Sequence, residues 1–548
     1  MKQIERLIFI FAITFIVGCA KDETFTEQSL SKIDSSTKVD FMLGRKIENA
    51  YSLEYMRKSY EVLKERCEIS ESINIETTHL YIKLSPQDTA EMNCILADTV
   101  LELFPYPLDY ELIGEGEYVV EENTTPDLYT VIPVDHNLDG RINFEILEEC
   151  FIPEDYDENP DFAKLELTAL YLSGNITKEQ IEQEVNAKAS WWKKPNGYVT
   201  VKNTSSANTN HYEAVRGVKV RVHNIVKISS MYTNSGGYYS STKSFLTDVH
   251  YSAVFENNRG FKVWSNLGPL SPAIHNVGWH SKSGYNIAIG ENSCAWPWAT
   301  INNAALDYYN VICPQFNISQ PYNGLRIWYL SGVAGNIIEE LDIDNWEGSA
   351  PMLRKITLDA AYLAEYLFIL GLLDSPALAI TTASVYGVML CMPDVFITEK
   401  NRSTKDLRRV IFHELSHASH FTEVGSLYWV QYIYQICYNV INSSGGNAYG
   451  SEQNEHNNIV GVGEMWASYF EYKCTEYYGY NYSFPDTDEW YAPQILQQGE
   501  ENGDGITPQK IYNTLEYHVQ SHEDLKQKLI YKYGQEQIIN QAFADGGF

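Results

Sequence analysis

One stretch of this chain sets two histidines and an acid at the spacing that metal-assisted hydrolysis demands: His413-Glu414-Leu415-Ser416-His417. On an α-helix, positions i and i+4 lie one turn apart on one face, so His413 and His417 would offer both imidazoles to a single metal ion. Glu414 follows His413 by about 100° around the helix, beside the open position of the metal, where its carboxylate can take a proton from water. A catalytic zinc takes a third protein ligand. The best downstream candidate is Glu464, in Gly461-Val462-Gly463-Glu464-Met465-Trp466-Ala467-Ser468-Tyr469-Phe470. Met465, Trp466, Tyr469 and Phe470 surround a lone carboxylate there, on what reads as a buried helix. A buried carboxylate needs a positive partner, and one catalytic zinc ion would serve. The chemistry expected is hydrolysis of an amide, with Glu414 as general base.

These two segments, HELSH and GEMWAS, resemble the gluzincin metallopeptidases, the thermolysin-like group with HExxH on one helix and a glutamate ligand on a following helix. The likeness is confined to roughly residues 400–475. It implies that His413, His417 and Glu464 ligate zinc and that Glu414 is catalytic. In that family an aspartate often stands four residues after the glutamate ligand and orients the first histidine; here that place is Ser468. The rival pattern HExxHxxGxxH fails at His420 and Glu423, where it requires glycine and histidine. Oxyanion stabilisation in such enzymes comes from a Tyr or His, and Tyr469, Tyr477, Tyr478 and His456 are the candidates by sequence order. Asp135 to Ile142 copies the first eight positions of a calcium loop, but the position for a bidentate glutamate is Ile146, so a polar turn with at most a weak Ca2+ site is expected.

The helix that must carry HELSH has a legible start. Ser403 and Asp406 form a capping-box pattern, and Leu407, Val410, Ile411, Leu415 and Ala418 recur at spacings of three and four, marking one core-facing side. At 548 residues the chain calls for several domains. The fold class expected is multidomain α+β. A small N-terminal α+β region spans 41–185, and its stretch from Ala97 to Tyr110 resembles a module of Bacteroidetes surface lipoproteins. Residues 186–275 alternate as strands (Val218, Val220, Val222; then Val249 to Phe255) and resemble a prealbumin-like β-sandwich. Residues 276–548 read as a mainly helical, thermolysin-like zinc peptidase domain.

The N-terminus has a short basic start, an apolar run from Leu7 to Val17, then Gly18 and Cys19. Ile16-Val17-Gly18-Cys19 resembles a lipobox, which makes 1–18 a signal peptide, Cys19 the lipidated residue and 19–40 a tether. Lys21-Asp22-Glu23 resembles the acidic export signal of some Bacteroidetes surface lipoproteins. An outer-membrane location facing the cell exterior follows as the expectation. Lys and Arg number 40 against 72 Asp and Glu, a formal charge of −32 that repels phosphate backbones and excludes nucleic acid as a natural partner. The expected partners are extracellular proteins, peptides or glycoproteins as substrates, and the membrane through the anchor. The alternative function is a non-catalytic surface lipoprotein, an adhesin or glycan binder, since 40 Tyr and 11 Trp permit sugar stacking.

Overall fold

The computed structural model describes residues 41–548 apart from 70–71, 88, 119–126, 155, 182–191, 209, 266–270, 331–346, 359–392, 399–401, 443–448, 452–457, 481, 483–489 and 504. Cys19, the leader and tether expected before residue 41, and His456 lie outside the described residues. The architecture is mixed α+β.

Near the N-terminus, strands β1 (Met42–Lys46) and β3 (Tyr110–Ile113) pair as a ribbon, and β2 (His79–Leu84) is flanked by β4 (Leu128–Pro133) and β5 (Phe144–Cys150). Helices α1 (Leu53–Glu65) and α3 (Pro160–Leu172) pack on one another, while α2 (Thr89–Ala97) contributes Met92 and Ile95 to a small core with Ile82, Leu84 and Leu128. The Asp135–Ile142 segment is the turn joining β4 to β5. Its Asp139 is engaged by Arg141 at 2.7 Å, and His136 by Asp98 at 2.8 Å.

Strands β6 (Asn196–Lys202), β7 (Tyr212–Ala214), β10 (Tyr238–Ser240) and β14 (Ile287–Ile289) form one sheet. The larger sheet has eight strands: β8 (Val218–Asn224), β9 (Lys227–Tyr232), β11 (Val249–Asn257), β12 (Lys262–Trp264), β13 (Ile274–His280), β15 (Arg326–Leu330), β16 (Gly348–Ser349) and β17 (Val395–Thr398). Val199 and Val201 of the first sheet share one core with Val220, Val222 and Tyr251 of the second. The boundary expected after residue 275 falls inside β13, and strand pairing crosses it. The β12 backbone satisfies its outer edge by pairing in parallel with β15, Val263 opposite Ile327, and β14 pairs in parallel with β6. Backbone groups left at a sheet edge seek partners wherever the chain supplies them, so the sheets take strands from both sides of the boundary.

The larger sheet ends in the order β15-β17-β16, with β16 antiparallel to β17. Helix α4 (Ala295–Asp307) and the long helix α5 (Thr404–Asn442) pack against one another, and α5 also meets β17 and β16. The Ser403–Asp406 box forms as read: Ser403 N–H donates to Asp406 Oδ2 and Asp406 N–H to Ser403 Oγ, both at 3.3 Å. Leu407, Val410, Ile411, Leu415 and Ala418 are all buried, each large apolar side chain contributing roughly 1.5–3 kcal/mol. Helix α6 (Asn458–Tyr477) lies along α5, and α7 (Gln494–Asn502), α8 (His522–Tyr533) and α9 (Glu536–Asp545) close the C-terminal end. Among the described residues no helix is long and apolar enough to cross a membrane.

Candidate metal centre

His413 and His417 stand on one face of α5 with ring centroids 4.9 Å apart, as their i, i+4 spacing requires. Glu464 enters between them from α6: its Oε2 is 3.5 Å from His413 Nε2 and its Oε1 is 3.4 Å from His417 Nε2. All three are buried, and one ligand atom from each falls within 4.8 Å of the others, a group able to hold a metal ion.

Helix α6 carries glycines where side chains of its neighbours come close. A Cβ on Gly463 would lie 2.4 Å from the Tyr432 ring, and one on Gly461 2.6 Å from His522. Gly425 breaks α5 with φ 80° and ψ 177°, which turns its second half so that Tyr432 returns to the site. The Tyr432 hydroxyl donates to Glu464 Oε1, and its ring stacks on Trp429 at 4.8 Å.

The first histidine is oriented by a residue the sequence reading missed. His413 Nδ1 is 2.9 Å from Glu471 Oε2. Glu471 follows Glu464 by seven residues, which places it about 20° off the same helix face and about 10 Å further along. The imidazole spans the two carboxylates, one ring nitrogen to each. Ser468, four residues after Glu464, makes no hydrogen bond through its buried hydroxyl among the described residues. Arg409 joins Glu471 at 3.3 Å to Glu347 at 3.2 Å, so the carboxylate behind the histidine is itself held.

Burial pulls the His413 imidazole down, but its hydrogen bonds with Glu464 and Glu471 outweigh this and raise it to about 10. Burial raises Glu464, yet the two histidines hold it well below the carboxylate range. His417 is lowered, mainly by burial. Burial and the neighbouring acids push Glu414 up to about 8. Glu414 is 1% exposed, its Oε2 has no hydrogen-bond partner among the described residues, and a Cβ on Gly348 of β16 would lie 2.7 Å from its Oε1. It borders a small cavity shared with His413, Glu347, Tyr449 and Tyr491.

The tyrosines chosen by sequence order stand elsewhere. Tyr469 is turned about 140° from Glu464 around α6, and its hydroxyl donates to Glu500 at 2.8 Å. Tyr477 is 46% exposed and meets Phe316, while Tyr478 stacks on Phe412 at 5.7 Å. Tyr449 and Tyr491 line the cavity instead; both follow segments with no helical periodicity, so no spacing pointed to them. His420 packs against Tyr428 and Trp429 in the core and takes no part in the ligand group, nor does Glu423.

No protein-family model matches this chain, and no curated protein matches it.

Proposed function

We propose that the chain is a zinc-dependent peptidase of the gluzincin type, exported and lipid-anchored through Cys19, acting on extracellular proteins, peptides or glycoproteins. The observation that carries this reading is the spacing of the donors. Two ligand atoms bound tetrahedrally at about 2.0–2.1 Å from one zinc stand roughly 3.4 Å apart; here each histidine nitrogen meets its own Glu464 oxygen, at 3.5 and 3.4 Å, and one ligand atom from each of the three residues lies within 4.8 Å of the others. Two imidazoles and one carboxylate also make the donor set of a catalytic zinc, which leaves a position for water. The ion would supply Lewis acidity there, acidifying water and polarising a carbonyl.

The chain's own residues do the rest. Glu414, which borders the cavity beside His413, accepts a proton from the attacking water as a carboxylate and returns it to the leaving amine. Glu471 fixes the His413 tautomer and ring plane, and Tyr432 holds Glu464. Strand β16 lies beside Glu414 at the end of its sheet, where an extended peptide can align its backbone. Within this reading the strand-rich middle is a prealbumin-like spacer and the helical end a thermolysin-like catalytic unit.

The test is cleavage of a mixed peptide library by the soluble chain from residue 41, with and without chelator. Cleavage is expected to need zinc and to vanish in Glu414→Gln while zinc remains bound. Full activity in that variant, or after chelation, rejects the proposal.

A further inference from the structure

A cleft of about 800 Å³, open to solvent, runs along the seam between the N-terminal region and the larger sheet, away from the metal centre. One wall is the β1–β3 ribbon with the end of α3; the other is the sheet, at Asn224, Thr247, Asp248 and Trp279. Trp279 is 39% exposed on that wall, yet its ring is braced edge-on against the buried His250 at 5.8 Å. It is a rigid aromatic face turned to solvent, and its indole N–H donates to nothing among the described residues.

The charges of the cleft select among ligands. Arg45 is paired with Glu111 at 2.6 Å and Lys46 with Asp109 at 3.1 Å, so its cations are already matched. Two carboxylates, Asp248 beside Trp279 and Glu48 across from it, make no hydrogen bond or ion pair among the described residues. Spent cations and unspent acceptors disfavour an anionic ligand. Both carboxylates are exposed to solvent, open to a partner rich in hydroxyl donors that also has an apolar face to lay on an indole. Sugar rings have both: O–H groups for carboxylates and a C–H face for the aromatic ring.

We propose that this cleft binds a neutral oligosaccharide, with Trp279 as the stacking platform and Asp248 and Glu48 as hydroxyl acceptors. The inference is independent of the peptidase reading, and it provides a means of holding a glycan while a peptide is presented elsewhere on the molecule. The test titrates the chain from residue 41, by calorimetry, with neutral hexasaccharides of glucose, mannose, galactose and N-acetylglucosamine, and separately with spermine and a lysine-rich peptide. At least one neutral sugar is expected to bind. Trp279→Ala and Asp248→Ala should each weaken it roughly tenfold or more, Trp279→Phe should retain most of the affinity, and Glu414→Gln should bind as the parent does. Equal melting temperatures will show that the variants fold. Binding of no sugar, binding unchanged in Trp279→Ala, or binding of the cationic probes alone overturns the proposal.

Discussion

His413 sits between two carboxylates, and without a cation it keeps a proton up to about pH 10. A metal must displace that proton. Below pH 10 each ion bound should therefore release about one proton, and affinity should fall about tenfold per pH unit as the solution is acidified. Calorimetry in buffers of different ionisation enthalpy measures this directly; uptake without proton release would show that His413 is not a ligand. Glu471 acts behind the histidine, so Glu471→Gln should weaken metal binding by about 10–100-fold while leaving the fold intact. At this scale the pattern HELSH and the lone Glu464 were readable, because a helix fixes i, i+4 geometry and a buried acid must be matched. Glu471 was not, since its role depends on which helix faces it and in what direction. Nothing in a one-dimensional spacing says that His413 reaches two turns of α6.

The helix α5 read correctly at its start, where capping chemistry is local, and incompletely at Gly425, where it bends. The backbone there, φ 80° and ψ 177°, belongs to a region open essentially to glycine alone. A Cβ on Gly425 would meet nothing within 4 Å, so the cost of Gly425→Ala is backbone strain rather than a clash. That substitution should destabilise the protein by about 1–3 kcal/mol and lower metal affinity with it, because the bend returns Tyr432 to Glu464. Chemical denaturation and a zinc competition assay check the two effects; an unchanged variant would mean the bend places nothing. The glycines of α6 had read as part of a motif, but their reason was hidden, since a helix pays about 1 kcal/mol for each unless something must come close. Tyr432 and His522 are what come close.

Across the whole molecule, the N-terminal region is joined to the larger sheet through a buried ion pair. Lys227 and Glu166 are each 1% exposed and 2.9 Å apart, and the Tyr51 and Tyr156 hydroxyls both donate to the same carboxylate. Removing one partner strands a buried charge, so Lys227→Met should cost about 3–5 kcal/mol, and adding Glu166→Leu should recover much of it. A double-mutant cycle by denaturation decides; additive losses would show that the pair is not coupled. Pairings of this range, like that of β12 with β15, join residues far apart in sequence, and composition and periodicity carry no record of them. Alternation told that strands existed between 186 and 275, not that their sheets would continue past residue 275.

The proposed chemistry requires one cation held by His413, His417 and Glu464 with a position left for solvent. Crystals of the zinc-loaded chain, measured on either side of the zinc absorption edge, test it most directly. A single anomalous peak is predicted at that triad, with Glu414 beside the open side. A peak elsewhere, no peak at stoichiometric zinc, or a fourth protein ligand closing the sphere would contradict it.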